Sequence, residues 1–240
     1  MILSGPKAFE LTWATAPEFA TIGGVSAGTH ADLTRAYALK RAEGFPAVER
    51  FEVHRGDQAP GVDDGKTTLD RCERLGIDLW PEETEIWQYG AVFIEPDARP
   101  TGAWNIVCQW HQDLLIGSPA WSLQWDGTNF FIDVRTSTQN PLVDNPPAII
   151  TTLGPGQAGR WYNFVFRFVY SQTIGQLEVH MDGVQVMNYS GPIGYIDNGI
   201  YPKWGIYRGR ATEREAVRWA NMQFSLSSLA AYRANPPAIY

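Results

Sequence analysis

Two charged side chains stand two positions apart in the segment Asp70–Arg74, which reads DRCER. In an extended strand, alternate side chains project from the same face, so Arg71 and Glu73 would lie side by side. Glu73 could then hold the Arg71 guanidinium through a charge-assisted hydrogen bond. A surface ion pair of little energetic consequence explains the same pattern when the segment is taken alone.

A second segment, Asn105–His111, places Gln109 and His111 together on one strand face. The amide can form hydrogen bonds to a ligand, and the imidazole can transfer a proton near neutral pH. For an isolated Gln-x-His pattern, an edge strand that merely faces water is the simpler interpretation.

The third segment, YPKWGIYR at 201–208, would project Tyr201, Lys203, Gly205 and Tyr207 from one face. This arrangement places a cation between two phenols. Gly205 would leave a gap beside Tyr207, through which a ligand could approach the backbone. The structural alternative is an aromatic strand whose lysine extends its amine to water.

In this chain order, the Arg-x-Glu, Gln-x-His and Tyr-x-Lys-x-Gly-x-Tyr strands resemble the motifs of jelly-roll polysaccharide lyases, including alginate lyases. The wider segments are more similar to the heparin-lyase-like and glucuronan-lyase-like branch. These segments are RFEVHRGD at 50–57, WNIVCQWHQ at 104–112, GRWYNFVFRFVYS at 159–171 and YPKWGIYRG at 201–209. Three positions depart from the family pattern: Cys72 replaces the usual Ser or Thr, Pro202 the usual Phe, and His54 a common Arg.

The resemblance implies β-elimination, which removes the proton on carbon five of a uronate and expels the sugar on carbon four. It implies four catalytic residues, namely Arg71, Gln109, His111 and Tyr207. Arg71 and Gln109 would neutralise the substrate carboxylate, since the neighbouring proton is not acidic while that charge persists. Four further residues are implied in substrate binding, namely His54, Tyr201, Lys203 and Arg208.

Tyr207 would be the acid that protonates the leaving oxygen and, in syn elimination, also the base. The reference pKa of tyrosine is about 10, so base duty requires nearby cations to lower it. Lys203, Arg71 and Arg208 are the candidates. His111 would act as the base in anti elimination, or would help neutralise the carboxylate. Glucuronate and mannuronate suit the syn route and iduronate and guluronate the anti route, and the sequence leaves both open.

The elements that position these residues are short strands. From Glu49 onward, runs rich in Val, Ile, Phe, Tyr and Trp are separated by Gly, Pro, Asn or Asp. The predicted strands are 49–55, 67–75, 85–95, 104–112, 120–125, 128–137, 160–171, 175–182, 184–189, 203–208 and 215–226. Asp126-Gly127 and Asp182-Gly183 predict hairpin turns. The chain is therefore predicted to be all-β, an antiparallel β-sandwich of the jelly-roll, concanavalin-like type.

The remaining segments are predicted to belong to one catalytic domain spanning residues 1–240. Residues 1–48 would be an irregular segment wrapping the sandwich, with a short helix near Ala31–Arg41. The Pro-rich stretches 96–101 and 141–156 would be loops. Cys72 and Cys108 would face the layer between the sheets, either bonded, if their strands are neighbours, or as two free thiols.

The formal net charge of −7 argues against nucleic acid or an anionic membrane as a partner. An acidic polysaccharide could still bind where cations cluster locally. A monomer is predicted, with no required cofactor and no metal ligand; a structural Ca²⁺ is allowed because relatives hold one. Such a substrate implies an extracellular site of action. The N-terminal residues show no signal-peptide pattern, which would fit a trimmed start or a phage-associated protein.

Two other functions compete with the lyase. A retaining glucanase needs Glu-x-Asp-x-x-Glu on one strand, and the run Glu82-Glu83-Thr84-Glu85 lacks that alternation. A non-catalytic acidic-sugar-binding module or lectin would account for the 10 Trp, 10 Tyr and 11 Phe, because aromatic rings also grip sugars. It would not account for the three motifs in lyase order, and turnover distinguishes it.

Overall fold

The computed structural model describes residues 12–13, 20–22, 25–42, 45–63, 65–98, 100, 102–112, 118–137, 148–195 and 199–239. In chain order, the strands are β1 Thr12–Trp13, β2 Ala20–Ile22, β3 Val25–His30, β4 Leu39–Ala42, β5 Phe45–Val53, β6 Leu69–Gly76, β7 Glu85–Ile94, β8 Asn105–Gln112, β9 Trp121–Trp125, β10 Asn129–Val134, β11 Ile149–Pro155, β12 Trp161–Val169, β13 Gln176–Met181, β14 Val184–Ser190, β15 Ile200–Gly209 and β16 Glu215–Ser225. A 3₁₀ helix, Ala230–Arg233, follows.

These strands form two antiparallel sheets. The first has nine strands in the spatial order β1-β2-β3-β6-β15-β8-β9-β10-β11, and the second has seven in the order β14-β13-β12-β7-β16-β5-β4. Neighbours in space are often distant in sequence, as in β6-β15-β8. Within the described ranges, no helix is long and apolar enough to cross a membrane.

The core lies between the sheets and is rich in aromatic rings. Trp110 of β8 packs edge-on against Phe168 of β12, with 4.7 Å between ring centroids. Trp121 of β9 lies 5.1 Å from Phe166 of β12, and all four rings are fully buried. Rings of this size remove much apolar surface from water and hold the sheets face to face. The predicted jelly-roll β-sandwich is confirmed.

Charged side chains also connect the two sheets from inside. Arg74 of β6 pairs with Glu49 of β5 at 2.9 Å. Arg208 of β15 pairs with Glu215 of β16 at 3.3 Å and with Asp70 of β6 at 3.2 Å. Removing one partner would leave an unpaired buried charge, so each pair requires both of its members.

The position of β15 decides which side chains share the outer face of the first sheet. Tyr207 lies opposite Arg71 of β6, and Lys203 lies opposite Gln109 of β8. The pairing with β8 shifts between Trp204 and Tyr207, which marks a β-bulge. The three motifs found in the sequence therefore lie on three adjacent strands.

Both predicted Asp-Gly hairpins are present. Asp182 and Gly183, between β13 and β14, have φ angles of 50° and 83°. Two consecutive positive angles are those that a type I′ turn requires. Gly127, between β9 and β10, has a φ angle of 99°. The Asp126 carboxylate accepts hydrogen bonds from the backbone N–H groups of Thr128 and Asn129.

The prediction of an irregular N-terminal segment with a helix near Ala31–Arg41 is wrong for the described residues. Residues 31–38 form bends and turns, and β4 begins at Leu39. The Asp32 carboxylate accepts hydrogen bonds from the Thr34 backbone and the Arg35 side chain, which favours a tight turn over a helix. β3 pairs with β6, and this pairing outweighs the weak strand propensity of VSAGTH.

Two further boundaries differ from the prediction. Part of the predicted loop 141–156 is strand β11, an edge strand that pairs with β10 and so tolerates Pro155. β15 begins at Ile200, three residues earlier than predicted, and contains Pro202. Its pairing with β6 starts only at Lys203, so the missing N–H of Pro202 breaks no ladder hydrogen bond on that side.

The two cysteines are free and buried. β15 separates β6 from β8, so the two strands are not neighbours, and the alternative of two free thiols is the one observed. The Cys72 thiol donates to the Ala38 carbonyl at 2.9 Å, and the Cys108 sulfur accepts from Gln88 at 3.2 Å. Burial raises the pKa of both thiols.

Gly205 is required by backbone packing. Its φ is +134°, and a Cβ there would lie 2.4 Å from the Cys72 carbonyl oxygen and 2.8 Å from Phe51. Gly205 therefore allows β15 and β6 to approach, which corrects the interpretation that it leaves a gap for a ligand.

We expect Gly205→Ala to lower the free energy of unfolding by about 2–4 kcal/mol, because the new methyl meets backbone at a disallowed angle. Denaturant unfolding measures the loss. Gly28→Ala on β3 is the matched control, since its Cβ would sit at an ordinary 3.4 Å from Leu75, and it should cost less than about 1 kcal/mol. Equal losses of stability in the two variants would contradict the conclusion that backbone packing requires glycine at position 205.

Candidate active site

The outer face of the first sheet gathers the polar residues of β3, β6, β15 and β8. On β6, Cys72 points into the core while Arg71 and Glu73 point the other way. On β15, Trp204 and Ile206 point inward and Lys203 and Tyr207 outward. The alternation predicted from the sequence thus brings Arg71, Gln109, Lys203 and Tyr207 into one cluster, and His111 and Tyr201 lie beside it.

Arg71 is the centre of the cluster. Its Nε lies 3.0 Å from Asp63 Oδ2, and its Nη1 lies 3.3 Å from Glu73 Oε2. The guanidinium carbon sits 3.7 Å from the centroid of the Tyr207 ring. Stacking on an aromatic face and pairing with two carboxylates fix the plane of the guanidinium. A cation is thereby held against the phenol.

Glu73 connects Arg71 to Gln109. Its second oxygen accepts a hydrogen bond of 2.6 Å from the Gln109 amide nitrogen. This contact fixes the orientation of the amide, because only the NH₂ group can donate to a carboxylate. Gln109 Oε1 is then buried with no hydrogen-bond partner in the described part of the chain. An unpaired buried acceptor is costly unless a ligand supplies the donor.

His111 and Tyr201 flank the other side of Lys203. The Lys203 amine lies 5.2 Å from the centroid of the Tyr201 ring, and the His111 and Tyr201 rings lie 5.9 Å apart. His111 Nδ1 is 2.8 Å from the Gln112 carbonyl oxygen, which can only accept, so Nδ1 carries the proton. Nε2 is therefore the basic nitrogen of the neutral ring.

Burial makes the cations of this cluster unusual. It lowers the pKa of Lys203 to about 8, with Arg71 and Lys66 adding repulsion and Glu73 and Asp63 opposing the change. Burial, together with Lys203, Arg71 and Lys66, lowers the pKa of His30 to about 3. His30 is thus a neutral imidazole in any mildly acidic or neutral solution.

The pKa of Tyr207 is raised, not lowered as the sequence led us to expect. Burial is the largest cause, Arg71 counteracts it and Glu73 reinforces it. The phenol therefore holds its proton at neutral pH in the free protein, as an acid must. Arg208 is not among the groups that act on it.

Among the residues that the structure describes, the cluster carries one net positive charge. Its cations are Arg71, Lys203 and Lys66, and its anions are Asp63 and Glu73. Both carboxylates are fully buried and paired with cations. One carboxylate from a substrate would make the assembly neutral, and neutralisation favours burying that group.

Two predicted substrate-binding residues lie elsewhere. Arg208 is fully buried on the inner side of β15 between Asp70 and Glu215, because strand alternation turns it away from Tyr207. His54 follows β5 of the second sheet, where its ring stacks on Tyr37 at 4.0 Å and contacts Glu52 at 2.6 Å. The placement of Arg208 corrects the substrate-binding role predicted for it, whereas the role predicted for His54 stays a prediction.

Sequence reasoning missed three polar groups of this face. His30 Nδ1 lies 3.5 Å from Arg71 Nη1, and Asp63 pairs with the same guanidinium. On β9 and β10, the Ser122 hydroxyl donates to Asp133 in the row that continues from Gln109. Neither His30 nor Asp63 belongs to a motif, and only pairing of β3 with β6 brings His30 to Arg71. For Ser122, the sequence did offer a signal, because it alternates with the core residues of WSLQW and should therefore face outward.

No group of three or more His, Cys, Asp or Glu side chains in the described ranges could hold a metal ion. The two carboxylates of the cluster are paired with Arg71 and Lys66, so they do not form an open oxygen cage for Ca²⁺. The structural Ca²⁺ allowed by the sequence stays a prediction.

The first sheet of this jelly-roll sandwich thus holds an arginine against a buried phenol, with a lysine, a glutamine and a histidine beside them. The family model described as "Polysaccharide lyase" matches residues 20–222. The chain belongs to this polysaccharide lyase family. Among curated proteins, none matches its sequence.

Solved structures with the same fold are alginate lyases. One from Pseudomonas aeruginosa has a TM-score of 0.57 at 19% identity, covering 80% of this chain and 86% of its own. One from Corynebacterium sp. has a TM-score of 0.54 at 13% identity, covering 89% and 83%. The alginate lyase A1-II′ has a TM-score of 0.52 at 15% identity, covering 90% and 86%. At these identities, the likeness shows a shared fold.

The buried Lys203 amine should cost stability. Its pKa is about 8 in the folded protein and 10.5 in the reference state, so below pH 8 both states are charged and the folded state bears the burial penalty. Between pH 8 and 10.5 the unfolded chain holds more protons, and stability rises with pH. We expect the Lys203→Met variant to have a free energy of unfolding about 2–3 kcal/mol higher than the wild type at pH 7. Its stability should not rise between pH 8 and 10.5.

Denaturant unfolding from pH 6 to 10.5 measures both effects. Lys40→Met is the control, because Lys40 is an exposed lysine on β4 of the second sheet. It should leave the pH dependence as it is in the wild type. A Lys203→Met variant that is less stable than the wild type at pH 7 would show that the amine contributes more through its partners than it costs by burial.

Proposed function

We propose that this polysaccharide lyase cleaves a glucuronan-like polyuronate by β-elimination in the cluster around Arg71. The observation that carries the proposal is the 3.7 Å stacking of the Arg71 guanidinium on Tyr207. It joins the group that would neutralise the substrate carboxylate to the group that would transfer the proton. Elimination needs both within the length of one sugar residue.

Carboxylate neutralisation would fall to Arg71 and Lys203, and Gln109 would bind a neighbouring sugar hydroxyl. The net single positive charge of the cluster matches one uronate, and the low-lying pKa of Lys203 near 8 would be pulled upward when the anion binds. The unpaired Gln109 Oε1 would accept a hydrogen bond from a sugar hydroxyl. Glu73 and Asp63 would act as positioning residues that hold Arg71 and Gln109.

Proton transfer would fall to Tyr207 and, for some sugars, His111. Tyr207 retains its proton in the free protein and can donate it to the leaving oxygen. In the syn route for glucuronate, the ionised phenol would first remove the proton on carbon five and then donate it to the leaving oxygen on carbon four. In the anti route, His111 Nε2 would be the base, and the Nδ1 hydrogen bond to Gln112 sets that tautomer.

The choice of glucuronan rests on the wider sequence segments, whereas the structural neighbours are alginate lyases. Both polymers present 4-linked uronates to the same chemistry. An acidic polysaccharide of this kind also supports the proposal that the enzyme acts outside the cell, and a monomer stays a prediction. The substrate panel below therefore includes both polymers.

Tyr207→Phe should abolish turnover while preserving the fold. The substitution removes the hydroxyl and keeps the ring that packs on Arg71 and on Trp104, 4.5 Å away. We expect a loss of at least about 10³-fold in kcat, the usual scale of acid–base catalysis. The measurement is the ultraviolet absorbance of the unsaturated uronate released from glucuronan, alginate, heparosan and polygalacturonate.

Tyr232→Phe is the matched control, since Tyr232 packs on Tyr89 at the second sheet and should keep full activity. New reducing ends without absorbance would indicate hydrolysis and overturn the proposed chemistry. Retention of a polymer without cleavage would favour a binding module.

The pH profile of kcat/KM should identify the base. If ionised Tyr207 is the base, activity rises about tenfold per pH unit up to about pH 8, and above that the loss of charge on Lys203 offsets further ionisation. The profile is then level between about pH 8.5 and 10. We expect this shape on glucuronan. A profile that does not rise between about pH 7 and 8 would exclude ionised Tyr207 as the base and favour His111.

A Lys203→Arg variant separates the ionisation of Tyr207 from the loss of charge at position 203, because a guanidinium stays charged throughout this pH range. With Tyr207 as the base, its profile should keep rising beyond pH 8. A level profile in this variant would contradict the assignment of Tyr207.

A further inference from the structure

An open cleft adjoins the cluster at the β3 side of the sheet. Its volume is about 550 Å³, enough for one sugar residue with a substituent. Its walls are largely apolar and include Leu33, Pro60, Val62 and Leu75, with Gly28 leaving room at the floor. The pocket belongs to no sequence motif, and the elimination chemistry does not use it.

His30 joins this pocket to the active site. It lines the cavity, and its Nδ1 lies 3.5 Å from Arg71 Nη1. A guanidinium can only donate, so Nδ1 is the acceptor and the proton of the neutral ring is on Nε2. His30 therefore has its Nε2–H group to offer a ligand, and the contact with Arg71 orients this donor.

The described residues of the lining carry no formal charge at neutral pH. Leu33, Pro60, Val62 and Leu75 are apolar, and burial keeps His30 neutral with a pKa of about 3. The other polar side chain of the lining, Thr29, accepts a hydrogen bond from the inward-facing Arg74. A carboxylate would gain no direct partner on these walls, whereas an uncharged group with a methyl and a carbonyl would be complementary.

We propose that this pocket binds an acetylated sugar residue next to the cleaved uronate. The acetyl methyl packs against Leu33, Val62 and Leu75, and the acetyl carbonyl accepts the Nε2 proton of His30. The proposal rests on the proposed function, because His30 reaches the pocket from the carboxylate-binding Arg71. It narrows the substrate class to acetylated acidic polysaccharides.

Two kinds of polymer present this chemistry. A glucuronan can carry O-acetyl esters on its hydroxyls, and a polymer that alternates glucuronate with a hexosamine carries N-acetyl amides. Both place an uncharged acyl group one sugar away from a carboxylate. Removing the acyl group gives a hydroxyl in the first case and a cationic amine in the second, and the amine would be repelled by Arg71 and Lys203.

The test compares matched substrates on the whole protein. Initial rates by ultraviolet absorbance are measured on O-acetylated and deacetylated glucuronan, and on heparosan and N-deacetylated heparosan. In the pair whose acetyl group fits the pocket, we expect kcat/KM to be about five- to tenfold higher for the acetylated polymer. Burial of one methyl group and one added hydrogen bond would give a difference of this size. The preferred pair identifies the source of the acetyl group.

Val62 is the residue to change, because it is 38% exposed in a turn and its substitution should leave the fold intact. Val62→Ser should lower the acetylated-to-deacetylated ratio about threefold to fivefold. Val62→Phe should fill the pocket and bring the ratio to one or below. Val184→Ser on β14 of the second sheet, at a valine that is 64% exposed, is the control and should leave the ratio unchanged.

Binding separates this inference from the catalytic proposal. Calorimetry with Tyr207→Phe and acetylated or deacetylated oligosaccharides measures the preference without turnover. A wild-type enzyme that cleaves both members of each pair equally overturns the pocket assignment and leaves the lyase chemistry intact. If nothing is cleaved but the acetylated oligosaccharides bind more tightly and Val62→Ser removes that preference, the pocket stands and the catalytic proposal fails.

Discussion

The antiparallel register of β15 between β6 and β8 is the constraint on which the site depends. It places Tyr207 opposite Arg71 and Lys203 opposite Gln109, although these pairs are far apart in sequence. A shift of one residue would exchange the inner and outer faces, moving Arg208 into solvent and Tyr207 into the core. Buried pairs such as Arg208–Glu215 oppose that shift, because it would leave their charges without partners.

The same sheet holds two sets of charges with opposite purposes. On the inner side, Arg74 with Glu49 and Arg208 with Asp70 and Glu215 are matched within the protein. On the outer side, the cluster is left with one unmatched positive charge and an unpaired amide oxygen on Gln109. Such incomplete matching lowers stability and is usual at sites prepared for a ligand. The aromatic core between the sheets offsets that cost.

The sequence was sufficient for the fold class and for the core of the site, because strand alternation and Asp-Gly turns are local rules. It placed Arg71, Gln109, Lys203 and Tyr207 on one face correctly. It could not place His30 or Asp63, since their approach to Arg71 depends on strand pairing and loop packing that no local pattern encodes. The same alternation rule, applied to Arg208, would have turned it inward. The raised pKa of Tyr207 follows from burial, which becomes known only when the sandwich is assembled.

The charge distribution also explains how a protein with net charge −7 can bind a polyanion. The attraction is confined to one uronate, since Asp63 and Glu73 cancel all but one of the cluster's positive charges. A long-range basic field, as nucleic-acid-binding proteins have, is therefore unnecessary. Recognition beyond the cleaved residue must then come from uncharged contacts. The apolar walls beside His30 lie where they would provide such contacts, and under the proposed function the neighbouring sugar's substituent would then decide specificity more than its charge.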